Sequence, residues 1–239
     1  MTPDFSIVVP VFDEEGAAAA LAGEIAAAFA GQSFEMLFVD DASGDGTRAS
    51  LLALATEIPQ LRVLSHRRNA GQSRAVRSGV LAARGSIIVT LDGDGQNDPA
   101  DAPRLALALQ AGPPMLGLIG GERVKRQDSA AKRYASRWAN GIRKRLLRDQ
   151  ANDTGCGLKA FRREAFLRLP YFDHIHRYLP ALMIREGYEV AFQPVNHRPR
   201  RSGASKYTNL GRLLVAVSDL RGVLWLISRA RDPGGVDEG

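Results

Sequence analysis

Cysteine is almost absent from this sequence: Cys156 is the only one in 239 residues. An intramolecular disulfide is therefore excluded, as is a zinc site built on several thiolates, and a reducing compartment is expected. The four histidines show no metal-ligand spacing such as His-Glu-x-x-His. Aromatic residues are few, at 7%, and no nucleic-acid-binding motif occurs, so no nucleic-acid partner is expected despite a formal net charge of +6. No run reaches the roughly 18 consecutive apolar residues that span a bilayer. The nearest, LLVAVSDLRGVLWLIS, is broken by Ser218, Asp219 and Arg221. The opening MTPDFSIVVPVFDEE lacks a basic segment ahead of an apolar one, so it is expected to enter a core strand rather than act as a signal peptide. No GxGxxG follows that first strand, which argues against a dehydrogenase.

The positive charge that is present is unevenly placed. Residues 122 to 148 hold Arg123, Lys125, Arg126, Lys132, Arg133, Arg137, Arg143, Lys144, Arg145 and Arg148 against only Glu122 and Asp128. Residues 198 to 231 are similarly basic, with Asp219 as the single acid. The rest of the chain is therefore acidic, so one region suits cations and another suits anions.

FSIVVPVF, FEMLFVDD, LRVLSH and GSIIVTLDGD are short apolar runs rich in β-branched residues, and they alternate with Ala- and Leu-rich stretches of helical composition. Runs without polar alternation read as parallel strands buried on both faces. Four repeats of strand and helix predict a doubly wound α/β sheet, in which ligands bind beyond the carboxyl ends of the strands. That rule gathers Pro10, Glu14, Asp40, Asp41, Asp92 and Asp94 on one rim. Further along, GLIGGERV predicts another strand, and residues 129 to 148 a basic helix with Tyr134, Trp138, Ile142 and Leu146 on one stripe. A strand, helices and a last strand are expected between 157 and 197, then a basic loop, RPRRSGASKY, and an amphipathic helix over 207 to 230.

The segment LDGDGQNDPAD carries four acids directly after a strand. Asp92, Asp94 and Gln96 fit the first positions of an EF-hand loop, but Asn97 stands where its glycine belongs and Pro103 where its glutamate belongs. Carboxylates crowded at a strand end repel one another unless a cation lies between them, and hard oxygen donors suit Mg2+ or Mn2+ shared with a diphosphate. Asp98 and Asp101 read as the turn and cap before the next helix.

Read together and in order, VVPVFDEE, FVDDASGDGT, RNAGQSRAVRSG and LDGDGQNDP resemble a family 2 glycosyltransferase of the GT-A fold. Within that family the resemblance is to the polyprenyl-phosphate, dolichol-phosphate mannose synthase-like branch. GGERVKRQ, KRYASRWAN, DTGCGLKAFRREAF, HRYLPALMIREG and HRPRRSGASKY extend it over roughly residues 5 to 229. The fold implied is a Rossmann-like, doubly wound, mainly parallel sheet with a basic helical acceptor region and a C-terminal amphipathic helix. Residues 1–115 would form the nucleotide-sugar half, 116–206 the acceptor half of the same domain, and 207–239 a membrane-proximal helix and tail.

The resemblance also implies roles. Pro10, Phe12 and Glu14 border the nucleobase and ribose, and Val39, Asp40 and Asp41 form the adjoining acidic turn, with Asp40 and Asp41 accepting hydrogen bonds from base and ribose. Asn69, Gly71 and Arg77 lie near the nucleotide, as do Asp92 and Gly93. Asp92, Asp94 and Gln96 hold Mg2+ or Mn2+. Arg123, Lys132, Arg133 and Ser136 bind the acceptor phosphate, for which arginine supplies paired donors and lysine a point charge. Arg200 and Lys206 close over the donor diphosphate. Asp153 orients groups in the catalytic set with Asp92, Asp94 and Arg200.

The activity implied is inverting, metal-dependent transfer of a sugar from a nucleoside-diphosphate sugar to a polyprenyl (undecaprenyl or dolichyl) phosphate. It would take place in the cytoplasm, by peripheral contact with the inner face of the cell membrane. A glycosyltransferase acting on a sugar hydroxyl is the rival, and Asp153 would be its base. A non-catalytic nucleotide-sugar-binding protein is a third reading. Leu210, Leu213, Leu214, Val217, Leu224 and Ile227, with Arg212, Arg221, Arg229 and Arg231, suit either an interfacial helix or an ordinary packing or homo-oligomer contact.

Overall fold

The computed structural model describes residues 2–124, 141, 143–147, 149, 151–199 and 209–231. Strands β1 (Phe5–Val11), β2 (Phe34–Asp40), β3 (Leu61–Ser65) and β4 (Ile87–Thr90) alternate with helices α1 (Glu15–Ala28), α2 (Thr47–Leu54) and α3 (Gln72–Ala82). Then follow α4 (Ala102–Ala111), β5 (Leu116–Arg123), β6 (Lys159–Arg162), α5 (Arg163–Arg168), α6 (Leu179–Arg185), β7 (Glu189–Val195) and α7 (Asn209–Arg229). All seven strands form one sheet in the order β3-β2-β1-β4-β6-β5-β7. The expected α/β architecture is present, and the strands on both sides of residue 115 share that sheet.

The reason β1 and β2 lack polar alternation is visible in their packing. Ile7, Val9 and Val11 face one core with Met36 and Phe38, under Leu21 and Ile25 of α1 and Leu105 of α4. Val8, Leu37 and Val39 face the opposite core with Val76 and Val80 of α3 and Leu182 of α6. Full burial of each such aliphatic side chain contributes about 1.5–3 kcal/mol, so both layers hold the sheet.

Strands β1 to β4 run parallel, but β6 is antiparallel to both β4 and β5. Thr90 at the end of β4 is therefore the register partner of Lys159 at the start of β6. The loop entering β6 consequently lies on the same rim as the loops leaving β1, β2 and β4.

The helix expected over 207 to 230 exists as α7, but its apolar residues divide. Val223 is buried, and Leu220, Leu224, Leu226 and Ile227 pack against the core. Leu224 and Ile227 thus serve tertiary packing, not a lipid-facing surface, because α7 closes the layer over α6. Tyr178 donates to Ala216 O at 3.3 Å and Arg185 Nε donates to Leu226 O at 3.0 Å. Val217 and Trp225 remain exposed, with Arg229 6.0 Å from the Trp225 ring. Of the helix expected over 129 to 148, Gly141 and residues 143–147 are helical and the rest lies outside the described residues.

Candidate active site

A cleft of about 760 Å3 opens where the parallel strands end. Its first wall is Pro10 to Glu14, which the FVDDASGDGT turn braces. Asp13 N donates to Ser43 Oγ at 3.0 Å, Gly44 N to Asp13 Oδ1 at 2.8 Å, and Glu14 N to Thr47 Oγ1 at 2.8 Å. Asp40 Oδ1 accepts from Ser43 N at 3.2 Å. Two acidic loops thus satisfy each other's backbone donors and leave the apolar edge of Pro10 and Phe12 facing the cleft.

Asp41 shapes the neighbouring wall. Its carboxylate accepts from Ala70 N at 2.9 Å and Gly71 N at 2.7 Å, and Oδ1 lies 2.6 Å from His66 Nδ1. His66 Nε2 in turn lies 2.9 Å from Ser78 Oγ on α3. Gly71 has φ +87°, a conformation that side chains disfavour, and this turns its N–H toward Asp41 at the start of α3.

The DGDGQND segment forms the floor. Asp92 N donates to Asn97 Oδ1 at 2.9 Å, and Gln72 Nε2 donates to Asp92 Oδ1 at 2.8 Å. Gln96 N donates to Asp94 Oδ1 at 3.1 Å, while Gln96 O accepts from Arg198 N at 2.9 Å. Asp98 and Asp101 do more than cap a turn. Asp98 accepts from Ala100 N and pairs with Arg198, and Asp101 accepts from Asn196 N, so the 196–198 segment is fastened behind the floor.

The far wall is the loop Thr154 to Gly157 and the start of β6. Lys159, 5% exposed, donates to Cys156 O. A Cβ at Gly157 would overlap the Asp92 carboxylate, so only glycine lets this loop lie over the acid. Beside it, Arg123 grips Asp153 in a fork: Nε donates to Oδ2 at 2.5 Å and Nη2 to Oδ1 at 2.7 Å. His176, Arg177 and Leu179 complete the wall.

The charges on this floor act on one another. Burial, and after it the charge of Asp94, pushes the Asp92 carboxyl above its ordinary value, against the opposing pull of Lys159, Arg123 and Gln72. Burial likewise pulls Lys159 below the usual ammonium range, although Cys156, Asp92 and Asp153 act against it. Among the described residues no three His, Cys, Asp or Glu side chains come together as a metal cage. Asp92 and Asp94 would offer two hard oxygen donors, a set that fits a divalent cation such as Mg2+ or Mn2+.

Of the residues singled out in the sequence, Pro10, Phe12, Glu14, Asp41, Asn69, Gly71, Asp92, Gly93 and Asp94 line the cleft. Val39 is in the core, Asp40 is buried beneath the rim, and Gln96 stands behind the floor. Arg77, on α3, is 5.2 Å from the Tyr171 ring and is not in the cleft lining. Arg123 and Asp153 stand just behind the far wall. Lys132, Arg133, Ser136, Arg200 and Lys206 lie outside the described residues. Gln72, Asn97, Lys159 and His176 were not anticipated. TGCGLK, at a predicted strand start, was the available signal for Lys159.

The model of glycosyl transferase family 2 matches residues 6–169. The chain belongs to this family. It is 32% identical over 237 residues to a dodecaprenyl-phosphate galacturonate synthase of Rhizobium johnstonii, an alignment covering 97% of this chain and 69% of that one. It is 34% identical over 219 residues to an undecaprenyl-phosphate 4-deoxy-4-formamido-L-arabinose transferase of Edwardsiella ictaluri, covering 90% and 66%. The chain thus spans about two thirds of the length of these curated relatives.

Among solved structures, glucosyl-3-phosphoglycerate synthase from Mycobacterium tuberculosis, with Mn2+, UDP and glucosyl-3-phosphoglycerate, superposes with a TM-score of 0.71 at 18% identity. That match covers 97% of this chain and 82% of the other. A mannosyltransferase from Pyrobaculum calidifontis, with GDP-mannose and Mn2+, gives 0.69 at 19% identity and covers 98% and 67%. The family 2 chain described here accordingly has the GT-A fold.

Proposed function

We propose that this protein transfers a sugar from a nucleoside-diphosphate sugar to a polyprenyl phosphate, with inversion at the anomeric carbon. The observation that carries this reading is the meeting, in one cleft, of the Asp92–Asp94 floor with the wall backed by Arg123 and Asp153. The names of the two curated relatives, both transferring to a polyprenyl phosphate, support the acceptor.

The donor nucleoside lies along Pro10 to Glu14 and Asn69 to Gly71, and its diphosphate reaches the floor. Asp92 and Asp94 would hold a divalent ion, Mg2+ or Mn2+, and a bound ion offsets the charge developing on the leaving diphosphate. Gln72 and Asn97 hold Asp92 in place from two sides. A phosphate monoester with a second pKa near about 6 is largely ionised at neutral pH, so the acceptor needs no strong base. Its oxygen attacks the anomeric carbon as the bond to the donor's β-phosphate oxygen breaks and the nucleoside diphosphate leaves.

Arg123 would bind the acceptor phosphate, and Asp153 would act by orienting it. Both Asp153 oxygens accept from the guanidinium, which suits an orienting acid better than a proton-abstracting one and favours the phosphate acceptor over a sugar hydroxyl. Lys132, Arg133 and Ser136 would complete the phosphate site. Arg200 and Lys206 would close over the donor diphosphate and share its negative charge.

No helix among the described residues is long and apolar enough to cross a membrane. Contact with the lipid acceptor at the inner membrane face is assigned to the side of α7 that carries Arg221, Trp225 and Arg229. Aromatic and basic side chains together suit an anionic interface.

The test is direct. Purified protein with Mn2+ or Mg2+, a short polyprenyl phosphate and a panel of UDP- and GDP-sugars should place one sugar on the lipid. Transfer to a saccharide acceptor with none to any lipid phosphate would overturn the reading.

A further inference from the structure

Ser73 and His176 form a pair that none of these roles uses. Ser73, in the first turn of α3 and fully buried, has its Oγ 2.7 Å from His176 Nδ1. The two residues are 103 apart in sequence, so the contact exists only because α3 packs beside the turn that precedes α6. His176 lines the cleft with Ala75, Val76, Lys159 and Leu179. Its Nδ1 is engaged by Ser73, which leaves Nε2 as the ring nitrogen to offer a ligand in the cleft.

We propose that His176 binds a hydroxyl of the transferred sugar through Nε2, with Ser73 fixing the orientation of the ring. This rests on the glycosyl-transfer reading and names what selects the sugar within it. The nucleoside is accounted for at the rim of β1 and β2, and the diphosphate at Asp92 and Asp94. The sugar must therefore lie between those acids and the acceptor wall. His176 lines this same cleft, close enough to Lys159 for the lysine's charge to bear on the ring.

The chemistry of the ring suits the place. Burial pulls the His176 pKa down to about 3, and the charges of Arg177, Lys159 and His174 act in the same direction. The imidazole is thus neutral across the physiological range. A neutral ring can hydrogen-bond a hydroxyl without setting a positive charge beside an anomeric carbon that itself becomes electron-poor as the leaving group departs. Because Ser73 occupies one ring nitrogen, the other has a single direction to offer. A wall group that must pair with a hydroxyl discriminates against sugars that lack one there.

The experiment compares wild type with His176→Ala, His176→Gln, Ser73→Ala and the Ser73→Ala/His176→Ala double variant. The probes are UDP-glucose, UDP-glucuronate, UDP-N-acetylglucosamine and GDP-mannose, each set against free UDP or GDP in competition binding. Thermal unfolding confirms that each variant is folded.

For the sugar that wild type prefers, His176→Ala should weaken nucleotide-sugar binding by about tenfold, the value of one lost hydrogen bond, with free UDP or GDP binding unchanged. His176→Gln should recover part of the loss, and Ser73→Ala should add nothing once His176 is gone. Equal weakening of free nucleotide and nucleotide sugar would overturn the proposal, as would unchanged sugar discrimination in a folded His176→Ala. Failure of lipid transfer by the wild type would remove the acceptor assignment alone, because the binding ratio reads His176 without any acceptor.

Discussion

Arg123 and Asp153 are joined by two parallel hydrogen bonds, Nε to Oδ2 at 2.5 Å and Nη2 to Oδ1 at 2.7 Å, with both side chains largely buried. Replacing Asp153 with Asn keeps the shape but removes the charge that fixes the guanidinium. Stability should fall by about 1–3 kcal/mol, as for a buried donor left poorly matched. The KM for polyprenyl phosphate should rise while binding of the nucleotide sugar stays as in wild type. Arg123→Lys should resemble it, since an ammonium keeps the charge but cannot form the fork. An unaltered acceptor KM in both variants would remove the orienting role.

Asp94 is expected to matter for the ion and little for the fold. It stands at the cleft floor, where its charge raises the Asp92 pKa. Asp94→Ala should therefore abolish Mn2+-dependent turnover while the far-UV circular dichroism spectrum is retained. Undiminished turnover at saturating Mn2+ would take the metal away from this pair.

Gly157 tests the same floor from above. A methyl group at this position would overlap the Asp92 carboxylate, and relief requires that side chain to swing away from Gln72. Gly157→Ala should lower Mn2+ affinity and turnover together, with only a small change in thermal midpoint because the clash ends on one side chain. Gly157→Ala with wild-type Mn2+ affinity would show that Asp92 is not held under this loop.

The parallel half of this fold is legible in the sequence because its strands are short, mainly apolar runs, and β1, β2 and β4 end in acids. That pattern alone places Pro10, Asp41, Asp92 and Asp94 on one rim. The far wall is not legible in this way, because it depends on β6 running antiparallel beside β4, which no local pattern encodes. Lys159 therefore meets Asp92 through sheet topology, and His176 meets Ser73 across 103 residues. Arg123 and Asp153 both stand out in the sequence as candidates, yet their pairing across 30 residues is a tertiary fact. The apolar residues of α7 left two readings open for a related reason: an amphipathic pattern fixes which face is apolar but not whether lipid or the protein's own core covers it.

His176 also leaves a signature in stability. Its pKa is pulled from 6.5 to about 3 by burial, with Arg177, Lys159 and His174 as the neighbouring charges, while in the unfolded chain it returns to its ordinary value. Above pH 6.5 neither state binds this proton, so the residue contributes no pH dependence. Between 6.5 and about 3 the unfolded chain takes up a proton that the folded chain refuses. Stability is consequently lost as pH falls, with a slope of up to about 1.4 kcal/mol per unit from this one group. His176→Gln cannot titrate and lacks that slope, although other groups continue to titrate in both proteins. Urea unfolding at several values between pH 7 and pH 4 should show the variant gaining on wild type as the solution is acidified. A stability difference that stays constant over that range would mean the imidazole accepts its proton inside the folded cleft, and the neutral ring assigned to the sugar would go with it.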